Sequence, residues 1–350
     1  MAHSETSDVP SLVMQPFCLV EDRLADVLAS LGSYTAVAND PPWTQLALGL
    51  PKPRRVVFAG EMSLTALEAA TAIEDHGETI VGIGGGTAMD TAKFIAWKLG
   101  RSLIQVPTIT SVDAAFTDAI GVRIERKVRY LGKIVPKLVV LDVPLIRSAP
   151  PHLNRAGIGD VLSCHTGLYD WRLASQCGQG HPWHEELARL GRELLQQTEA
   201  AIADIAAVSE DGVRFLANAY RRIGAACASA GHSRFEEGSE HFWAYAYEAA
   251  TGAQHIHGEL IACGIVSMAV IQDNSPDWVA GMVAKSGVRA HPIDLGIRKV
   301  DYLDTVKGLA TYARAENLDV SVADLRPIRD AQAEAAWSVV CSLPRRDVEK

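Results

Sequence analysis

Three consecutive glycines, Gly84, Gly85 and Gly86, stand in the run ETIVGIGGGTAMDTAKFIAWKLG, between a β-rich stretch and one whose apolar residues recur at helical spacing. A strand over 79–83 that turns on these glycines into a helix presents the free N–H groups of the helix start beside backbone without β-carbons. That geometry admits the close approach of a diphosphate. Thr87 and Asp90 fall in the expected first turn of the helix. The triplet is not the GxGxxG fingerprint, so its weight comes from context. A second polar turn, VPTITSVD, with Thr108, Thr110 and Ser111, follows the next strand, at the edge where open α/β sheets bind ligands. Turn capping is the other role open to those hydroxyls. Asn39 and Asp40 end the first strand, where a ribose contact belongs, and NAD is preferred over NADP as the expected cofactor.

The elements that must position these residues follow from periodicity. Residues 34–38, 55–59, 79–83 and 103–106 read as strands, and 64–73 and 88–99 as helices, the alternation of a mostly parallel sheet. The segments AIGVRI and KLVVLDV flank a basic middle and read as a hairpin or crossover closing the sheet. Pro150 and Pro151 mark a boundary, because proline ends sheet pairing and disfavours helix in the residue before it. Beyond them long Ala/Leu-rich segments such as EELARLGRELLQQTEAAIADIAAV indicate a helical domain. The expected organisation is an α/β dinucleotide-binding domain over 1–150 and an all-α domain over 151–350.

Length and composition limit the alternatives. A chain of 350 residues exceeds the usual size of one core, so two lobes and a cleft are expected. A formal charge of −9 argues against a nucleic-acid footprint and for a small-molecule substrate. The N-terminus lacks the basic start and apolar run of a signal peptide, and the apolar stretch 260–271 is too short to span a bilayer. The expectation is a cytoplasmic homo-oligomer without membrane contact. Six scattered cysteines, with no CxxC pair, read as reduced packing residues.

Five ordered segments, GGGTAMDTAK, VPTITSVDAAFTD, AGIGDVLSCHTGLYDWRLA, SRFEEGSEHFWAY and HIHGE, together resemble the superfamily of glycerol dehydrogenases, dehydroquinate synthases and iron-containing alcohol dehydrogenases. Within it the sn-glycerol-1-phosphate dehydrogenases are the most similar. The resemblance implies a dehydroquinate synthase-like fold, NAD(P) on the glycine turn, and one divalent metal held by Asp160, His241 and His257, with Asp113 near the substrate. One carboxylate and two imidazoles suit Zn2+ with a fourth position open, and would also accept Fe2+ or Ni2+. Hydride transfer to or from a small polyol, polyol phosphate or cyclitol ketone is the implied activity. A cyclase that keeps its NAD bound, and a silent nucleotide-binding protein, are the alternatives. The dehydroquinate synthases are less similar, because they carry Glu where Asp160 stands.

The sequence departs from the phosphate-using enzymes at two places. They read like SRPASGSEH where this chain has Glu236 and Glu237 in SRFEEGSEH, and they carry HDG where this chain has VDAAFTD. Two carboxylates near a metal repel a phosphate ester, so dihydroxyacetone phosphate is expected to be a poorer substrate than an uncharged or amino-bearing polyol ketone. Arg123, Arg129 and Lys133 are the candidate contacts for a phosphate placed elsewhere, and His255 is a candidate proton relay or surface residue.

Overall fold

The computed structural model describes residues 18–40 and 42–348. The reading of the N-terminus concerns residues outside that range. Strands β1 (Leu19–Glu21), β2 (Tyr34–Ala38), β3 (Arg55–Phe58), β4 (Thr79–Gly84), β5 (Ser102–Pro107) and β8 (Leu138–Leu141) form one sheet in the order β1-β8-β5-β4-β2-β3, parallel throughout. Helices α1 (Leu24–Ala29), α2 (Pro42–Leu46), α3 (Leu64–Thr71) and α4 (Gly86–Leu99) alternate with the first five strands. Buried side chains line both faces of the sheet, which is why β2 and β4 are apolar runs rather than alternating ones.

The stretch read as a hairpin or crossover closing the sheet differs from that reading, because its basic middle is itself a strand that pairs with AIGVRI outside the main sheet. β6 (Ala119–Ile124) and β7 (Lys127–Lys133) form a separate antiparallel hairpin, with Glu125 and Arg126 at positive φ in its turn. The apolar run after it is β8, which returns to the main sheet between β1 and β5. β1 has no counterpart in the sequence reading. It is three residues long and only partly buried, so it carries no periodic signal.

β3 lies outside β2, whereas β5 lies on the far side of β4, so the chain leaves these two central strands in opposite directions. A crevice opens where such connections diverge, at the carboxyl ends of the strands. Ala38 pairs with Ile83 at the last shared register position, so Asn39 and the glycine turn emerge side by side into that crevice.

From α5 (Val143–Arg147) onward the described residues form helices and loops only. They are α6 (Pro151–Arg155), α7 (Ile158–Leu162), α8 (Cys164–Gln176), α9 (Glu185–Ala207), α10 (Glu210–Ala230), α11 (Ser239–Thr251), α12 (His257–Gln272), α13 (Pro276–Ser286), α14 (Lys299–Ala315), α15 (Val322–Leu325) and α16 (Asp330–Val340). α12 is apolar around its circumference and sits at the centre, with α7, α11, α13 and α16 packed against it. The apolar stretch 260–271 is thus a core helix, and among the described residues no helix is long and apolar enough to cross a membrane. Of the six cysteines, Cys164 and Cys263 pack in the core as expected, whereas Cys18 and Cys177 are exposed.

α7 and α12 touch through backbone. A β-carbon on Gly159 would lie 2.6 Å from the Gly258 carbonyl oxygen, and one on Gly258 would lie 1.9 Å from that of Ala156. Only glycine permits this approach, and it draws together the residues beside each glycine, Asp160 and His257.

Elsewhere in the helical half, His232 packs between Trp171 and His181, with ring centroids 5.4 and 4.3 Å away. Burial first, then the charges of His181, Arg234 and His184, lower its pKa from 6.5 to about 4. The folded chain therefore keeps His232 neutral where the unfolded chain protonates it. Stability contributed at this site is intact above pH 6.5 and is lost as pH falls from 6.5 toward about 4. Urea midpoints across that window are expected to fall less steeply for His232→Gln than for the wild type; equal slopes would show that His232 is not responsible.

Candidate active site

The glycine turn is locked by Asn39. Its Oδ1 accepts the Gly85 N–H at 2.9 Å and its Nδ2 donates to Thr87 Oγ1 at 2.9 Å. Gly84 has φ +153°, and a β-carbon there would meet Asn39 Oδ1 at 2.3 Å, so glycine is required for backbone and space alike. α4 begins directly at Gly86 with no side-chain cap, which leaves its first N–H groups facing the crevice. A diphosphate fits this cradle.

Not every residue placed at this turn faces it. Asp90 lies one turn further along α4, where its carboxylate meets the buried Lys93 ammonium at 3.1 Å, against Gly121 of β6. Thr108 donates its N–H to the Gly84 carbonyl at 2.9 Å and so fixes the turn from below. Thr110 is buried against α6: its N–H and hydroxyl reach Asn154 at 2.9 and 3.1 Å, and its carbonyl lies 2.8 Å from Tyr220 Oη. Ser111 is also buried.

Across the crevice, Asp160 from α7, His241 from the first turn of α11 and His257 at the start of α12 bring one ligand atom each within 4.8 Å of one another. Asp160 Oδ2 accepts the Asp113 N–H at 2.9 Å. Oδ1 is buried, accepts no hydrogen bond among the described residues, and lies 3.3 Å from His257 Nε2. An orphaned buried carboxylate oxygen costs free energy unless something cationic completes it, so the three side chains fit a divalent metal.

His241 is oriented from behind. Glu240 is fully buried, and its Oε1 lies 2.9 Å from His241 Nδ1 while also accepting the Gly238 N–H at 2.6 Å. This directs His241 Nε2 to the site. Burial alone would lower the His241 pKa, but the Glu240 hydrogen bond and charge, with Glu237 and Asp160, raise it to about 9. Metal entry must displace that proton. Glu240→Gln is expected to weaken metal binding about 10- to 100-fold with the fold intact; chelator competition measures it, and unchanged affinity would exclude an orienting role. Glu240 was not among the residues singled out from sequence, although a carboxylate directly preceding a ligand histidine was the available signal.

The remaining wall is acidic and phenolic. Asp113 opens a short 3-10 turn after β5, and burial, then the Asp160 carboxylate, push its pKa up to about 8. Tyr130 of the hairpin meets Tyr245 of α11 across the crevice, Oη to Oη 3.0 Å, and Tyr245 donates to Glu237 at 2.8 Å. Neither tyrosine stood out in the sequence, because only the fold brings β7 to α11. The candidate relay His255 is instead packed on Tyr247, with its side chain 8% exposed and Nε2 3.2 Å from the Leu295 carbonyl.

The fold, a parallel sheet with a glycine turn followed by a helical half, is shared with solved dehydrogenases. A probable glycerol dehydrogenase from Sinorhizobium meliloti superposes with a TM-score of 0.72 at 22% identity, covering 93% of this chain and 97% of that one. The family model of the iron-containing alcohol dehydrogenases matches residues 54–150. The glycerol-1-phosphate dehydrogenase [NAD(P)+] of Sulfurisphaera tokodaii is 30% identical over 248 residues, 68% of this chain and 69% of the relative. That of Sulfolobus acidocaldarius is 35% identical over 224 residues, 63% of this chain and 62% of the relative. The chain belongs to the iron-containing alcohol dehydrogenase family, and these curated relatives are glycerol-1-phosphate dehydrogenases.

Proposed function

We propose that this chain is a metal-dependent, NAD(P)-linked dehydrogenase acting on the carbinol or carbonyl carbon of a small polyol. The observation that carries the reading is the convergence of Asp160, His241 and His257 beside an orphaned Asp160 Oδ1, across the crevice from the glycine turn. Asp160, His241 and His257 hold the metal, Zn2+ by preference. Gly84–Gly86 with Asn39 and Thr87 hold the cofactor diphosphate. When bound, the metal supplies Lewis acidity toward the substrate oxygen and the nicotinamide supplies or takes the hydride. Residues 1–150 serve as the cofactor half and 151–350 as the metal half, in a cytoplasmic homo-oligomer.

The chain's own contribution is positional. Glu240 fixes the His241 ring, the Asp113 N–H fixes the Asp160 carboxylate, and the Tyr130–Tyr245 contact joins the hairpin to α11 beside His241. Metal analysis of the purified protein, with NAD(P)H oxidation over a panel of polyol ketones, tests the reading. Net cofactor turnover that stops with chelation is expected; a metal-loaded protein that turns over none of them would overturn it.

A further inference from the structure

Charge around the cleft is one-sided. Glu236 is 7% exposed, and among the described residues its carboxylate receives one hydrogen bond, from the Cys227 thiol at 3.5 Å. A thiol is a weak donor, so a nearly buried carboxylate is left with most of its acceptor capacity unused. Glu236 also stands in the field of the metal cluster: burial first, then Asp113, Glu237 and Asp160, push its pKa well up. Beside it Glu237 accepts from Tyr245 Oη at 2.8 Å and from Ser233 Oγ at 2.6 Å. The Tyr245 ring lies 6.0 Å from that of His241, so Glu237 belongs to the same wall.

Among the described residues, Lys93, Arg234, Arg123, Arg129 and Lys133 are each held by other partners. Lys93 is fully buried, with its ammonium held by Asp90, Thr117 and the Ala119 carbonyl at 3.1, 3.1 and 2.8 Å. Arg234 is turned to the Glu237 and Val320 carbonyls at 3.0 and 2.8 Å. The three cations considered for a phosphate are engaged by acids: Arg123 with Glu248 at 3.0 Å, Arg129 with Glu316, and Lys133 with Asp118 at 3.6 Å.

We infer that Glu236, with Glu237 beside it, is a recognition carboxylate for an ammonium group, and that the preferred substrate is an amino-bearing polyol rather than a polyol phosphate. The inference deepens the dehydrogenase reading and rests on it. A divalent metal and Asp160 together leave one positive charge, and Glu236 and Glu237 outweigh it once an ammonium beside them draws Glu236, which burial otherwise keeps protonated, into its carboxylate form. An ammonium brings three donors to acceptors that lack them, whereas a phosphate brings only further acceptors and like charge. Each unscreened carboxylate a few ångströms from a phosphate weakens its binding roughly tenfold or more.

Three probes with one carbon skeleton separate the cases: 3-amino-1,2-propanediol, glycerol and glycerol 1-phosphate, which carry a cation, a neutral hydroxyl and a dianion. Binding is measured by calorimetry on the metal-loaded protein with NAD(P)+, and kcat and KM are measured in parallel. The wild type is expected to favour the amine over glycerol by about tenfold and to disfavour the phosphate by at least as much. Glu236→Gln, checked for wild-type metal content, is expected to shrink the amine-to-glycerol ratio about tenfold through KM, with Glu236→Asp restoring part of it. A wild type that prefers the phosphate, or a metal-loaded Gln variant that keeps the amine preference, overturns the inference. Binding in the expected order without turnover upholds the recognition role and overturns the dehydrogenase reading; turnover fastest on the phosphate does the reverse.

Discussion

His241→Ala is expected to abolish activity by emptying the metal site while the chain remains folded. The imidazole is one of the three proposed ligands, and it is 4% exposed beneath Tyr245 and Glu240. Polarisation of a substrate oxygen by a bound metal contributes several kcal/mol to the transition state, so losing it should slow turnover about 1000-fold or more. The vacated volume costs stability as well, on the order of 1 to 3 kcal/mol, within the range that a domain of this size survives. Metal content by mass spectrometry, circular dichroism and turnover distinguish the effects. A variant that kept both stoichiometric metal and wild-type rates would remove His241 from the site.

The second large effect is expected at Gly85. A β-carbon there lies 2.9 Å from Ile109 Cδ1, and the Gly85 N–H is the donor that Asn39 holds. Gly85→Val must displace either Ile109 or the turn, at a cost of about 1 to 3 kcal/mol typical of overpacking. If that strain falls on the cradle, NAD(P)H affinity drops roughly 10- to 100-fold. Fluorescence titration with NADH and NADPH reads this directly. Unchanged affinity for both in a variant whose turn is shown to be displaced would place the diphosphate elsewhere, and the ratio of the two would show which cofactor Asn39 and Asp40 admit.

The central parallel strands and the glycine turn were legible because each is a local signal. Buried parallel strands are continuous apolar runs, and the turn carries its own residue chemistry. The proposed metal ligands stood out only as parts of ordered motifs. Asp160 is 81 residues from His241, a separation no periodicity bridges, and the close contact of α7 with α12 depends on two glycines that look unremarkable in isolation. Asp90 shows the opposite case: a polar residue at the right distance from the turn is claimed by Lys93, because the hairpin packs over that face of α4. Tyr130 and Tyr245 were invisible for the same reason that they matter, since their meeting is a product of two distant elements.

The backbone contact between α7 and α12 also sets which mutations the proposed metal centre can tolerate. The separation of Asp160 from His257 is fixed by two main chains in contact, not by the side chains packed around them. Exchanges among the surrounding Leu, Ile and Val residues alter packing volume but leave that spacer unchanged. At positions 159 and 258 there is no conservative replacement, since even one methyl group acts as a wedge under a ligand. The helical core can therefore drift in sequence while its metal geometry stays constant, with two glycines as the points at which drift stops.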